Sequence, residues 1–131
     1  MPLFIHTYYI VKDITSRKDI EFLMKAFYNE AFADPLIGVF FTEIAKIDLK
    51  NHLPQITDFW EQQIFRKGNY KKNVLQIHKN LSVKKKLQKI HYEAWLSLFN
   101  TTVDTHFQGE KANLIKTRAL SIATVMQIKI K

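Results

Sequence analysis

Four side chains in this sequence have the chemistry needed to hold and surround a metal-centred cofactor: His78, Tyr28, His52 and Trp95. A neutral imidazole such as that of His78 is a good axial ligand to iron. A phenol, a second imidazole and an indole can supply hydrogen bonds, and the indole can only donate. Each of the four lies on a separate helix predicted below, so together they could line the two sides of a haem.

Taken singly, each of these residues has a commoner explanation. A histidine on an apolar helix face is more often structural than a ligand, and an inward tryptophan or tyrosine is usually core. Tetrahedral zinc is disfavoured because the chain has no cysteine and no two histidines spaced by three or four. The lack of a glycine-rich phosphate loop also disfavours a nucleotide or flavin site. The prediction therefore depends on the combination.

Helical periodicity dominates from Ser16 onward and places these residues. Ser16 and Asp19 resemble a capping box at the start of the first helix, whose inward stripe Tyr28 borders. Asp34 and Pro35 end that helix and can start a short new one leading to Phe40 and Phe41.

Four further helices are predicted after this segment. One is predicted from Asp48 to about Phe65, with His52, Ile56 and Phe59 sharing a face. A shorter one carries Val74, His78 and Leu81 on one face. Ser82 is expected to cap a long helix with an inward face of Leu87, His91, Ala94, Trp95, Leu98 and Thr102, and a last helix follows Gly109. No alternating strand pattern competes after Val11, so the fold class is all-α.

Composition limits the kind of protein. With 131 residues and 47% hydrophobic content, the chain is expected to form one domain over 1–131. No apolar run approaches the roughly 20 residues of a membrane span, and the start lacks signal-peptide features, so a cytoplasmic location is expected. The net charge of +8 indicates a solvated basic surface or attraction to nucleic acid, anionic lipid or an acidic protein, and charge alone does not choose among these.

Five segments of the chain, in this order and spacing, resemble the group III truncated haemoglobins. The segments are Phe27 to Tyr28, Asp34 to Phe40, His52 to Trp60, Tyr70 to His78 and Trp95 to Phe99. The resemblance covers roughly Lys12 to Lys129, and the glycine-pair motifs of groups I and II are missing. Residues 1–11 have no counterpart in the family pattern and are expected to be a short N-terminal extension.

The resemblance implies a truncated globin fold, a two-over-two helical sandwich, that binds haem b (iron protoporphyrin IX) with His78 as the proximal iron ligand. The other residues that the resemblance implies contact the haem or its gas ligand: Tyr28, His52 and Trp95 in the distal pocket, and Phe40 and Ile56 against the porphyrin. His91 lies one turn before Trp95, so it is expected beside the haem as the one competing ligand.

The expected function is binding of O2, with NO and CO as further gas ligands, coupled to a reaction with NO or peroxide. Two distal donors retard O2 release, which suits holding or reacting O2 better than delivering it. The chain has no flavin or nicotinamide motif, so electrons must come from an external reductase. No nucleic-acid or membrane partner is expected. Two alternatives stay open: a gas-binding or sensing protein without turnover, and a haem-free basic helical module that binds nucleic acid through Lys84 to Lys86.

Overall fold

The computed structural model describes residues 11–68, 70 and 72–130. The expected N-terminal extension, residues 1–11, lies outside them except for Val11. The described residues form five α-helices and one π-helical turn, and they contain no strand. The elements are α1 (Arg17–Ala33), the π turn (Phe40–Ile44), α2 (Leu49–Phe65), α3 (Val74–Lys84), α4 (Lys89–His106) and α5 (Glu110–Lys129). None of these helices is long and apolar enough to cross a membrane.

Two helix pairs make the body of the fold. Helix α1 packs on α2 and α4 packs on α5, and the pairs meet through contacts of α1 with α4 and of α2 with α5. This is a two-over-two sandwich, so the predicted all-α class is confirmed. Its core is rich in fully buried side chains from all four helices, including Leu23, Phe27, Phe99 and Ile115. Helix α3 stands apart from this body and packs mainly on the π turn.

The start of α1 follows the predicted capping residue. The Ser16 side chain accepts a hydrogen bond from the Asp19 amide at 3.3 Å, which satisfies one of the free amides of the first turn. The Asp19 carboxylate reaches back to the Thr15 amide, at 2.8 Å, and not to Ser16 as a capping box requires. Ser16 is therefore confirmed as the cap, but Asp19 does not make the second hydrogen bond of a capping box.

The segment after α1 differs from the short helix expected there. Asp34 does act as the cap, since its carboxylate accepts from the amides of Leu36 and Ile37 at 2.8 and 3.0 Å. The turn that follows is π-helical, and it brings Phe40 into the core. Gly38 makes this approach possible: a Cβ at that position would lie 2.7 Å from the Phe32 carbonyl oxygen at the end of α1.

The boundary between α3 and α4 also differs from expectation. Ser82 does not cap the long helix; it lies inside α3, and its hydroxyl accepts from the Leu87 amide at 3.2 Å. Helix α4 begins at Lys89 and is capped by Gln88 and His91. Leu87 therefore precedes the helix. The other residues of the predicted inward face do face inward: His91 and Trp95 line a cavity, Ala94 and Leu98 pack against the core, and Thr102 is buried.

Asp13 ties the segment before α1 to the start of α5. Its carboxylate accepts from the amides of Ile14, Lys111 and Ala112 at 2.8 to 2.9 Å. Gly109 permits the contact, because its φ is +144° and a Cβ there would lie 2.5 Å from the Asp13 Cγ. Partial burial raises the pKa of Asp13, but the three amide donors and the Lys111 charge outweigh it and hold the pKa below the ordinary 3.8.

Replacing Asp13 with Ala should lower the free energy of unfolding by about 2 kcal/mol, because a helix cap and two further charged hydrogen bonds are lost. Because the folded-state pKa of Asp13 is lowered, the loss should be complete above pH 3.8 and shrink as the pH falls below that value. Urea unfolding of the wild type and of the Asp13→Ala protein, at several pH values above and below 3.8, would measure this difference in the free energy of unfolding. The exposed Asp104, paired with Lys116 at 2.6 Å, is the control, and Asp104→Ala should cost less than about 0.5 kcal/mol.

Candidate functional site

A cavity of about 510 Å³ lies beneath α3, walled by residues from every helix and the π turn. This volume is in the range of small-molecule and cofactor sites. Helix α3 has an apolar inner face but buries none of its residues, because that face borders the cavity. The cavity brings together every site residue predicted from the sequence: Tyr28, Phe40, His52, Ile56, His78, His91 and Trp95.

His78 presents one ring nitrogen for a ligand. Its Nδ1–H donates to the Val74 carbonyl oxygen, one turn back in α3, at 2.9 Å. This bond fixes the ring and leaves Nε2 as the nitrogen with a free lone pair. Burial lowers the pKa of His78 below 6.5, and the bond to Val74 offsets only part of that effect. The imidazole is therefore neutral near pH 7, the form that ligates a metal.

Tyr28 and His52 form a hydrogen-bonded pair on another wall of the cavity. The Tyr28 hydroxyl lies 3.2 Å from His52 Nε2, with the rings nearly perpendicular. Burial raises the pKa of Tyr28 and lowers that of His52, and the Lys72 charge lowers the latter further. Both groups are thus neutral near pH 7. When His52 Nε2–H donates to the Tyr28 oxygen, the phenolic hydrogen is free to donate into the cavity.

Trp95 is held by the aromatic core. Its ring stacks on Phe99 with centroids 5.2 Å apart and meets the edge of Phe27 at 5.9 Å. Phe27 and Phe99 are each 1% exposed, so the platform beneath the indole is rigid. The indole N–H can serve only as a hydrogen-bond donor.

The remaining predicted site residues form part of the cavity wall: Phe40, Ile56 and His91. The rings of Phe40 and His91 pack with centroids 4.9 Å apart. His91 Nδ1 accepts from the Gln88 amide at 2.8 Å, so this ring helps to begin α4 and has only Nε2 available for any other bond. Ile56 lies one turn after His52 on α2 and lines the cavity beside it.

The structure adds lining residues that the sequence reasoning missed. Lys72 and Lys84 are exposed residues on the rim of the cavity, and Lys72 Nζ donates to the Gln55 side chain across the gap between α2 and α3. Tyr92 also lines the cavity, and within the described part of the chain its buried hydroxyl has no hydrogen-bond partner. Ile77, Leu81 and Lys84 are spaced by four and three, so they share one helix face, and this spacing could have indicated that Lys84 borders the cavity.

The lining fits a haem. It is largely aliphatic and aromatic, and a haem needs only one axial ligand from the protein, which His78 Nε2 can provide. Among residues 11–68, 70 and 72–130, no cluster of three His, Cys, Asp or Glu side chains is placed to hold a metal ion directly.

Comparisons with known proteins agree with this fold. The chain matches no family model. It is 27% identical over 115 residues to the Group 3 truncated hemoglobin ctb of Campylobacter jejuni, covering 86% of this chain and 88% of that protein. The crystal structure of a group III truncated hemoglobin from Campylobacter jejuni superposes with a TM-score of 0.82 at 26% identity, covering 93% of this chain and 96% of that one. In sequence and in fold, over most of its length, the chain is therefore similar to group III truncated haemoglobins, a family whose cofactor is haem.

Proposed function

We propose that the chain binds haem b in the cavity beneath α3, with His78 as the axial ligand, and that it uses bound O2 to oxidise nitric oxide to nitrate. The observation that carries the proposal is the arrangement around His78. Its Nδ1 is engaged by Val74 while Nε2 remains for iron, and the hydrogen-bonding groups of Tyr28, His52 and Trp95 line the same cavity.

The cavity walls match the parts of haem b. The porphyrin is flat and apolar, and Phe40 and Ile56 supply apolar contact for it. Its two propionate groups are anionic, and the exposed amines of Lys72 and Lys84 lie on the rim, where these groups would reach solvent. His91, with Nδ1 already bonded to Gln88, packs against Phe40 and contributes contact.

The other walls would control the gas ligand. Tyr28 and Trp95 are fixed by the core, so their hydrogen-bond donors are oriented before a ligand enters. Each hydrogen bond to a ligand with partial negative charge contributes about 1.5 kcal/mol or more, which slows release. These residues favour retention of O2 long enough for a second reactant to meet it.

Haem b, when bound, supplies the redox chemistry in which one NO, one O2 and one electron give one nitrate. The electron comes from a separate reductase, which the proposal places with this chain in the cytoplasm. Peroxide is a second reactant class that the same donors would assist. The hydrogen-bonding groups in the cavity also favour gas binding or sensing without turnover. The two functions differ in whether the haem is reduced again after each reaction with a gas ligand.

The experiment is sustained NO consumption by the haem-loaded protein in aerated buffer, with NADPH and a ferredoxin reductase as electron donor. We expect many equivalents of NO to be consumed per haem and an equal amount of nitrate to form. Reductase alone and the His78→Ala protein are the controls. A halt after one equivalent, with haem left ferric despite a working reductase, would contradict the dioxygenase function and favour gas binding or sensing.

A further inference from the structure

The positive charge of this chain is concentrated in one segment. Residues 62–92 contain nine Lys or Arg and no Asp or Glu, whereas the rest of the chain has eleven basic and twelve acidic residues. The whole excess of +8 therefore belongs to this segment, which comprises the end of α2, the whole of α3, the residues between these helices and α4, and the start of α4. Such a distribution gives the molecule one strongly positive side.

The charged segment covers the cavity on the side of His78. The densest part, which we call the basic face, consists of Lys84, Lys85, Lys86 and Lys89 with the apolar Val83 and Ile90. All of these are exposed, Val83 by 87% and Ile90 by 50%. Within the described ranges, the four ion pairs of the protein lie elsewhere, so these lysines are not neutralised by its own carboxylates.

The basic face meets the cavity directly. Lys84 belongs both to the face and to the lining of the cavity, and Leu87, in the middle of the face, lines the cavity from its inner side. Burial lowers the pKa of His91, which lines the cavity as well, and the nearby Lys85 charge lowers it further. A protein bound on this face would therefore lie within one layer of side chains of the cavity contents.

The composition of the face favours a protein partner. Nucleic-acid surfaces use arginine forks and stacking aromatic rings, but residues 83–90 contain neither. Helices that lie on membranes use bulky aromatic and aliphatic residues opposite their lysines, whereas the exposed apolar residues here are the isolated Val83 and Ile90. Small, wet, electrostatically steered contacts are typical of electron-transfer complexes.

We propose that the basic face is the docking site for an acidic electron-donor protein. This proposal rests on the proposed function, because it gives the position and charge of the reductase partner required there. In the transfer, the reduced flavin or iron–sulfur centre of the partner loses one electron and the ferric haem gains it, with no bond made or broken. Carboxylates on the partner pair with the lysines, while Val83 and Ile90 supply a small apolar contact.

The test uses the haem-loaded full chain and an acidic flavodoxin as the probe. One variant carries Lys85→Glu, Lys86→Glu and Lys89→Glu, none of which lines the cavity. A matched control carries Lys18→Glu, Lys25→Glu and Lys50→Glu, which are exposed and lie outside the charged segment. Both variants change three lysines and lower the net charge equally. Binding of oxidised flavodoxin is measured by calorimetry, and reduction of ferric haem by flavodoxin hydroquinone is measured by stopped flow.

We expect the first variant to lose at least about tenfold in both its affinity for flavodoxin and the second-order rate of haem reduction. The control should stay within about twofold to threefold of the wild type in both. Added salt should weaken the binding of flavodoxin to the wild type. Equal effects in both variants, or none in either, would overturn the proposal. So would tighter binding of the wild type to duplex DNA or phosphatidylserine vesicles than to flavodoxin at about 0.15 M salt. If the wild type takes up haem and binds O2 but does not bind flavodoxin as expected, only the proposed docking site is overturned. If it does not take up haem, both proposals are overturned.

Discussion

Replacing His78 with Ala should weaken haem binding by more than about 100-fold, since loss of a residue that merely orients a metal ligand already costs about 10- to 100-fold. The folded chain should survive the change, because α3 buries none of its residues and packs mainly on the π turn. Haem titration followed at the Soret band gives the affinity, and far-ultraviolet circular dichroism checks the helices.

The matched control is His91→Ala, which removes the other cavity-lining imidazole of the proximal region but leaves Nε2 of His78 untouched. It should keep haem affinity within about tenfold. Added imidazole should restore a six- or five-coordinate spectrum to the His78 variant by entering the space that the ring vacated. An unchanged Soret band and ferrous spectrum in the His78→Ala protein would show that another residue ligates the iron.

Replacing Tyr28 with Phe should speed O2 dissociation by about tenfold or more, which corresponds to about 1.4 kcal/mol lost from the bound state. The substitution keeps the ring that packs against Phe27, Phe32 and Phe41 and removes only the hydroxyl. The rate is measured by displacing O2 from the ferrous protein with carbon monoxide in a stopped-flow instrument.

Tyr92→Phe is the matched control, because Tyr92 lines the same cavity and its hydroxyl has no partner among the described residues. Removing an unpaired buried hydroxyl should leave the dissociation rate within about twofold and the stability unchanged or slightly higher. An unchanged rate in Tyr28→Phe, or equal acceleration in both variants, would show that the Tyr28 hydroxyl does not hold the ligand.

The parts of the fold that follow from local chemistry could be predicted from the sequence. Ser16, Asp34 and Asp48 all act as caps, and the helix predicted from Asp48 to about Phe65 is observed as α2. Caps and apolar stripes involve residues three and four apart, so their signals lie within one or two turns. The all-α class follows from the same local patterns.

Features that depend on contacts between distant segments were not visible in the sequence. The π turn requires Gly38 to lie against the Phe32 carbonyl, which is a tertiary contact. The expectation that Ser82 caps α4 was wrong because its hydroxyl accepts from Leu87 instead, and the Lys85 to Gln88 stretch remains outside both helices. A short polar side chain offers several local bonds of similar energy, and packing decides among them.

The set of residues that line the cavity could be predicted from the sequence, but their geometry could not. Resemblance to a family supplied the roles proposed for His78 and the other lining residues, and periodicity placed them on separate helices. The bond between Tyr28 and His52 joins α1 to α2, and no local pattern encodes a pair 24 residues apart. Lys72 was not singled out, and Lys84 was considered only as part of a nucleic-acid-binding run, because exposed lysines are common on any surface.

The central claim is that this chain holds one haem on His78, and titration of the purified protein with ferric haem b tests it most directly. The account predicts saturation at one haem per chain, a Soret band that sharpens on reduction and carbon monoxide addition, and resonance Raman evidence of an iron–histidine bond that disappears in His78→Ala. Unsaturable uptake, or a stoichiometric complex with no iron–histidine bond, would contradict the account.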